Sequence, residues 1–412
     1  MRIAIDAREL AGKPTGVGRY LWQLLLAWND IPAAAAHEFV LCSDRPRGPD
    51  KARATASDQS LKPDKARGTA SGESRGTDQA RARTRGEFRG ADNPVTALPN
   101  LQVEYRQRSR FGGTLWEQLS LPLIANDANI LFAPAYSGPL VMPVPMVLTV
   151  HDVSFSAHPE WFAWREGLRR RFLTRFAARR AARILTVSDF SKREIVRRLG
   201  VYPDKVEVIY SGVHQIIPTE TSPSPARSTT SDPQPLVLFV GSIFNRRHVP
   251  ELIRGFARLA RRHAGVRLTI VGDNRMLPRV DLHALVAQSG AAPRIRVREY
   301  VSDEELSMLY REASAFAFLS DYEGFGFTPL EALAVGVPPV VLDTEVAREI
   351  YGPSATYVQR PDPELIAAAL ETVLADPAER ERILAAAPRV LARYSWRECA
   401  QRTLQALLAC AS

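Results

Sequence analysis

Cysteine is scarce in this chain of 412 residues, with three in all, at Cys42, Cys399 and Cys410. They are too few and too scattered for a disulfide framework or a thiolate cluster, and a reducing cytoplasm is the simplest expectation. Long apolar runs are also missing. No stretch reaches the ~20 apolar residues that a bilayer-spanning helix needs. Met1-Arg-Ile-Ala-Ile-Asp6 lacks the layout of a signal peptide. No cluster with metal-ligand spacing is visible, so neither a metal nor another cofactor is expected. Large apolar side chains almost vanish from residues 45–94. That segment holds 12 Lys+Arg and 7 Asp+Glu, so +5 of the chain's net +9 lies there. It contains a near repeat, Pro49-Asp-Lys-Ala-Arg-Ala-Thr-Ala-Ser57 and Pro63-Asp-Lys-Ala-Arg-Gly-Thr-Ala-Ser71. Such a composition cannot bury enough surface to offset its ordering entropy, and a disordered insertion is expected. Mixed signs and the lack of interleaved aromatics argue against a nucleic-acid site.

The remainder reads as α/β. At 412 residues with 45% apolar content, two domains with separate cores are expected. The pattern strand, glycine turn, helix recurs. It appears first at 2–28, where Gly16 and Gly18 either let a backbone approach a phosphate or make a tight packing turn. It appears again at 236–250, where Gly241 precedes Arg246 and Arg247. Two adjacent cations past a glycine loop suit a diphosphate, although ordinary surface arginines would read the same. The fullest instance is 313–342. The apolar run 313–319 predicts a buried strand, and Glu323-Gly-Phe-Gly-Phe-Thr-Pro-Leu-Glu331 turns through Gly324 and Gly326 into a helix near Thr328. Glu331 is expected in the first turn of that helix, and Gly336 with Pro338-Pro339 ends it. The two carboxylates either accept hydrogen bonds from sugar hydroxyls or are plain loop and helix glutamates. The free N–H groups of the turn could hold a phosphate. His151 and Asp152 follow the apolar strand 145–150, at the edge where α/β sheets bind ligands. There the imidazole either donates to a ligand or bonds its own turn.

Residues 161–180 are helical in period. Leu168, Phe172 and Phe176 share a face, and seven arginines between Arg165 and Arg180 cover much of the rest. The stripe either packs on the domain's own sheet beneath a solvated basic face, or suits an anionic bilayer surface, or does both.

Taken together, these motifs resemble the retaining family 4 glycosyltransferases, of GT-B fold with two facing Rossmann-like domains. Glu323, seven residues and Glu331 match that family's signature, and the resemblance covers nearly the whole chain outside two low-complexity stretches. It implies residues 1–213 as an acceptor-side domain carrying the 45–94 insertion, a linker at 214–235, a nucleotide-sugar domain at 236–394, and a helix at 395–412 crossing back to the first domain. It implies His151, Glu323, Arg246 and Arg247 as catalytic. Donor contacts would come from Gly16, Gly18, Gly241, Val301, Asp303, Gly324, Phe325, Gly326, Phe327 and Glu331, besides Arg246, Arg247 and Glu323. Glu323 would take sugar hydroxyls and Glu331 the ribose. The family's Arg-Lys-Asn reads Arg246-Arg247-His248 here, which leaves open how Arg247 meets a diphosphate.

The implied function is transfer of a mannose- or glucose-type hexose, with retention, from a GDP- or UDP-sugar to a glycan or lipid-linked acceptor in cell-surface polysaccharide or glycolipid synthesis. The expected location is cytoplasmic, peripheral on the inner membrane face if residues 161–180 bind anionic lipid. The competing readings are a GT-B epimerase or phosphorylase and, from basic charge alone, a nucleic-acid-binding regulator.

Overall fold

The computed structural model describes residues 1–11, 16–44, 97–108, 111–213 and 234–411. The expected insertion at 45–94, and 214–233 of the expected linker, lie outside them.

Thirteen strands among the described residues form two sheets, both wholly parallel. The first sheet contains β1 (Arg2–Asp6), β2 (Glu38–Ser43), β3 (Gln102–Gln107), β4 (Ile130–Ala133), β5 (Met146–Thr149), β6 (Arg183–Thr186) and β7 (Val206–Val208), in the order β3-β2-β1-β4-β5-β6-β7. The second contains β8 (Leu236–Val240), β9 (Arg267–Val271), β10 (Ile295–Arg298), β11 (Ala313–Phe318), β12 (Pro339–Leu342) and β13 (Thr356–Val358), in the order β10-β9-β8-β11-β12-β13. Parallel strands need crossover helices on both faces, so their apolar runs are continuous rather than alternating. All five residues of β8 are buried, as are all four of β4, β5 and β12. Each sheet reverses its winding once, between β1 and β4 and between β8 and β11. Loops beyond the carboxyl ends of such strand pairs form the ligand crevice of open α/β sheets.

Nine helices matter to the site and its surroundings. They are α1 (Gly16–Asn29), α2 (the continuous stretch Gly113–Leu115, Trp116–Ser120 and Leu121–Ile124, its middle turn a π-helix), α3 (Trp164–Arg180), α4 (Asp189–Ile195), α5 (Val249–Arg262), α6 (Asp303–Glu312), α7 (Phe327–Ala334), α8 (Glu345–Tyr351) and α9 (Trp396–Ala411). On one face of the first sheet, Ile3, Ile5, Phe39 and Leu41 pack under α1 and α9. The final helix is anchored there by Cys399, Leu404 and Leu407 and by the Trp28 indole, which donates to the Ala400 carbonyl at 2.8 Å. On the other face, Ala4, Val40, Leu131 and Ile184 pack under Trp116 and Leu121 of α2 and Ala177 and Ala178 of α3.

The inward face of α3 is not its large apolar stripe. Gly167, Thr174, Ala177 and Ala178 are buried, while Trp164, Leu168, Phe172 and Phe176 are 70%, 54%, 51% and 41% exposed. The reading in which Leu168, Phe172 and Phe176 cover the sheet is therefore replaced. Small residues let the helix axis come close to the sheet, and the large ones point out.

Candidate functional site

The β8 turn and the β11 turn meet at a buried ion pair. Arg247 Nε donates to Glu323 Oε1 at 2.8 Å, and Arg246 Nε lies 3.8 Å from the same oxygen. Ser320 Oγ donates to that oxygen as well, at 2.9 Å. Burial pushes the Glu323 carboxyl up, but Arg247 and then Arg246 outweigh it and hold it below the usual carboxylate range. Glu323 is therefore an anion, and both hydrogen bonds fall on Oε1. Gly241 makes room for Arg247. Its φ is +144°, and a Cβ there would sit 2.6 Å from Nη1 of Arg247. Arg247 also donates to the Ser242 carbonyl at 2.8 Å.

Arg246 is held differently. Its guanidinium lies 4.7 Å from the Phe244 ring and 5.9 Å from the Trp161 ring of the first domain. Its side chain is 10% exposed, and its Nε is buried without a hydrogen-bond partner. The Trp161 contact shows that Arg246 faces across the cleft, and its charge is felt at Tyr136, in the loop after β4. Tyr136 has φ +37°, a left-handed conformation that a tyrosine seldom adopts. His248 has φ +46° and bridges Asp321 at 2.5 Å and Glu251 at 3.6 Å. Burial works against the imidazolium, yet the two carboxylates raise its pKa to about 9.

From the first domain, His151 faces the same cleft at the end of β5. Its Nε2 lies 2.9 Å from the Pro134 carbonyl, and a carbonyl only accepts, so Nε2 carries the proton. Burial lowers the ring's pKa, leaving it neutral with Nδ1 bare. Toward a ligand the imidazole is thus an acceptor; the donor role is taken up by Pro134. Tyr20 packs edge-on against it at 4.8 Å. Asp152 is buried, accepting from Ser154 N at 2.8 Å and from Tyr136 Oη at 3.4 Å.

The Gly324–Gly326 turn lies at the seam between the domains. A Cβ on Gly324 would collide with the His151 carbonyl, and Ser188 Oγ donates to the Gly324 carbonyl at 2.6 Å. Gly326 has φ +88°, and Tyr351 Oη donates to its carbonyl at 3.0 Å. The Phe325 ring is buried edge-on against Tyr394, and Phe327 stacks on Trp396. Glu331 lies one turn inside α7 rather than in its first turn. Its anchor is therefore a side chain and not the helix dipole: Tyr310 Oη donates to Glu331 Oε2 at 3.0 Å, and both residues are buried. The charge of Arg19, beside Gly18 at the start of α1, is felt at Tyr310. Gly16 is exposed, and Gly18 is buried in the first turn of α1. Val301 is buried and Asp303 opens α6, where Ser302 caps Glu305 N at 3.1 Å. Both lie at the carboxyl end of β10, two strands away from β8.

The site thus joins Arg246, Arg247 and Glu323 to His151, with the glycine turn between, while Glu331 is one helical turn further and Val301 and Asp303 lie toward the sheet's edge. Tyr136, Trp161 and Tyr310 belong to it and carry no local motif. Position was the available signal for Tyr136, which follows the strand beside the first sheet's switch point. Among the described residues, no three or more His, Cys, Asp or Glu side chains stand together as a metal site.

Residues 14–215 match the family described as Glycosyltransferase Family 4, and residues 222–390 match Glycosyl transferases group 1. The chain belongs to the family 4 glycosyltransferases. Similar glycosyltransferases include an uncharacterized one of Methanocaldococcus jannaschii, 30% identical over 54% of this chain and 59% of that protein. The O-antigen chain mannosyltransferase B of Escherichia coli is 28% identical over 63% of this chain and 69% of its own. The glycogen synthase of Mycobacterium tuberculosis is 29% identical over 67% and 66%. The fold is GT-B. The Anabaena protein HepE, crystallised with UDP and glucose, superposes with a TM-score of 0.67 at 18% identity, over 99% of both chains. Sucrose-phosphate synthase from Thermosynechococcus elongatus gives 0.68 at 17% identity over 100% of both.

Proposed function

We propose that this glycosyltransferase moves a hexose from a nucleoside-diphosphate sugar to a glycan or lipid-linked acceptor, with retention at the anomeric carbon. The observation that carries the reading is Arg246, a buried guanidinium that faces the cleft with an unpartnered Nε beside Glu323. A buried cationic donor without a partner costs about 1–3 kcal/mol. An arriving diphosphate would supply the missing acceptor.

In this reading Arg246 and Arg247 meet the negative charge that grows on the diphosphate as the anomeric carbon–oxygen bond breaks. Glu323 Oε2 and His151 Nδ1 accept hydrogen bonds from sugar hydroxyls, and Glu331 holds the ribose. The acceptor hydroxyl attacks on the face the diphosphate leaves, and its proton passes to a departing phosphate oxygen. No metal is assigned a part. The mannosyltransferase and glycogen synthase relatives support mannose or glucose, and the HepE complex supports a nucleotide donor. Cell-surface polysaccharide or glycolipid synthesis is the setting proposed.

The test is thermal unfolding against UDP, GDP and ADP, followed by NMR of the product formed from the matching sugar nucleotide. One nucleotide should raise Tm as RT ln(1 + [L]/Kd), and the product should keep the donor's anomeric configuration. Glu331→Gln, which can still accept from Tyr310, should abolish the shift while leaving the unliganded Tm in place. The reading fails if no nucleotide shifts Tm and no sugar nucleotide is consumed.

A further inference from the structure

The outer faces of α2 and α3 are what the site leaves unexplained. On α3, Trp164, Leu168, Phe172 and Phe176 recur every four residues, all exposed, with the Phe172 and Phe176 rings 4.4 Å apart. On α2, Leu115, Leu119 and Leu123 repeat the same spacing and are 59%, 51% and 55% exposed. The two helices cover one face of the first sheet, so their outward stripes look the same way. Arg169 of α3 donates to Thr114 Oγ1 of α2 at 2.6 Å and joins the stripes at their amino ends. The loop after β4 extends the patch, because Val141 is 75% exposed and its neighbour Leu140 donates its N–H to Gln118 Oε1 of α2 at 2.9 Å.

Large apolar side chains grouped over two elements are a docking surface rather than scattered exposure. Its charge says what docks there. α3 has seven arginines and one glutamate, and that glutamate, Glu166, is taken by Arg170 at 2.6 Å. Arg165, Arg169, Arg175, Arg179 and Arg180 are exposed among the apolar side chains. Arginine stems can lie along an apolar layer while their heads stay at its wet boundary. Nucleic acid would use the arginines and stack on the aromatics, but it has no use for the leucines. A surface that is apolar within and anionic at its edge matches both.

We propose that this face seats the enzyme on a bilayer containing anionic lipid, inserting α3 and α2 side chains to headgroup depth without spanning it. Among the described residues no helix is long and apolar enough to cross. The seat lies against the cleft. Trp161, three residues before α3 begins, faces Arg246, and Gly113 at the start of α2 accepts from Arg8 at 3.0 Å beside the end of β1. Docking would hold the mouth of the cleft at the lipid surface. The surface stands on residues separate from the donor site, so the two readings fail separately.

The test is flotation of the full chain with vesicles of phosphatidylcholine alone or mixed with phosphatidylglycerol. Binding should need phosphatidylglycerol and weaken with salt. Arg165→Ala/Arg175→Ala/Arg179→Ala should weaken it about fivefold per arginine. Leu168→Ser/Phe172→Ser should weaken it about tenfold per side chain at unchanged salt dependence. Both variants should keep the wild-type Tm and nucleotide response, since these side chains face solvent. Any of these results would overturn the proposal: no flotation at low salt; full binding by the Leu168/Phe172 variant, which would leave only electrostatic adsorption; or no flotation with a dimer that this variant dissociates, which would assign the face to a second copy. Salt-sensitive retention on DNA without flotation would overturn it as well.

Discussion

Arg246 and Arg247 are neighbours of the same chemical type in opposite energetic states. Arg247 is matched by Glu323 and the Ser242 carbonyl, whereas Arg246 Nε is buried with no acceptor. Removing Arg247 leaves the buried Glu323 carboxylate with only the Ser320 hydroxyl and the more distant Arg246, so Arg247→Ala should lower the unfolding free energy by about 3 kcal/mol. Arg246→Ala should leave stability within about 0.5 kcal/mol of wild type or raise it, while kcat with the matching donor falls about 100- to 1000-fold. Urea unfolding and steady-state kinetics on the two variants check the contrast, and equal stability losses would refute it. His248 supplies a pH prediction. Its folded pKa, about 9, exceeds the ordinary value of 6.5. Between these values the folded protein holds a proton that the unfolded chain has released. The contribution is complete below about pH 6.5 and disappears as pH rises through about 9, with a size of roughly 2 kcal/mol. His248→Gln should flatten that part of the stability-against-pH curve relative to wild type. The left-handed φ of +46° also gives the position a backbone requirement. Asparagine and histidine both tolerate that conformation, so His248→Asn should fold normally and His248→Val should not.

Among the elements, the strands were the most legible, because continuous apolar runs ending in glycine turns have few other readings. The turn holding Glu323 and the one holding Arg246 and Arg247 could both be placed after apolar strands from the sequence alone. Contacts across the chain could not. The bond that holds Glu331 comes from Tyr310, 21 residues earlier on another helix, and no local spacing announces it. Nor could the sequence say which side of α3 turns inward. Its large and its small residues both recur at helical spacing, and only close packing against the sheet decides for Gly167, Thr174, Ala177 and Ala178. The turn after β11 yields an element-scale prediction. Gly324→Ala would drive a methyl group into the His151 carbonyl, and backbone there cannot rotate away as a side chain could. Overpacking of this kind costs about 1–3 kcal/mol. The Tm should fall, and KM for donor should rise more than kcat drops, because the clash lies between the domains. A kcat loss at unchanged KM would place the fault elsewhere.

Over the whole molecule, closure of the cleft rests on side chains that reach from one domain to the other. Glu349 of α8 accepts from the Asp189 and Phe190 N–H groups at 2.7 and 2.9 Å, supplying from the second domain a cap for the first domain's α4. Tyr210 Oη donates to the same carboxylate at 3.0 Å, and Arg193 pairs with Glu345 at 2.5 Å. Losing such a cap costs about 1 kcal/mol. Glu349→Ala should therefore enlarge the radius of gyration of the unliganded protein in small-angle X-ray scattering, and the nucleotide that shifts Tm should restore it. An unchanged radius would mean that other contacts hold the cleft closed.

The chain passes between the domains twice, once after β7 and again before α9, and the two passages are fastened together. Val213 N donates to the Tyr394 carbonyl at 3.3 Å, and Gly212 presses so closely on Trp396 that a Cβ would not fit. A single tether would let one domain swivel on the other. Two crossings fastened side by side at 212–213 and 394–396 would restrict the domains to bending about the line they share, as a leaf hinge does. The widest opening of the cleft would then lie at the edge opposite the paired crossings.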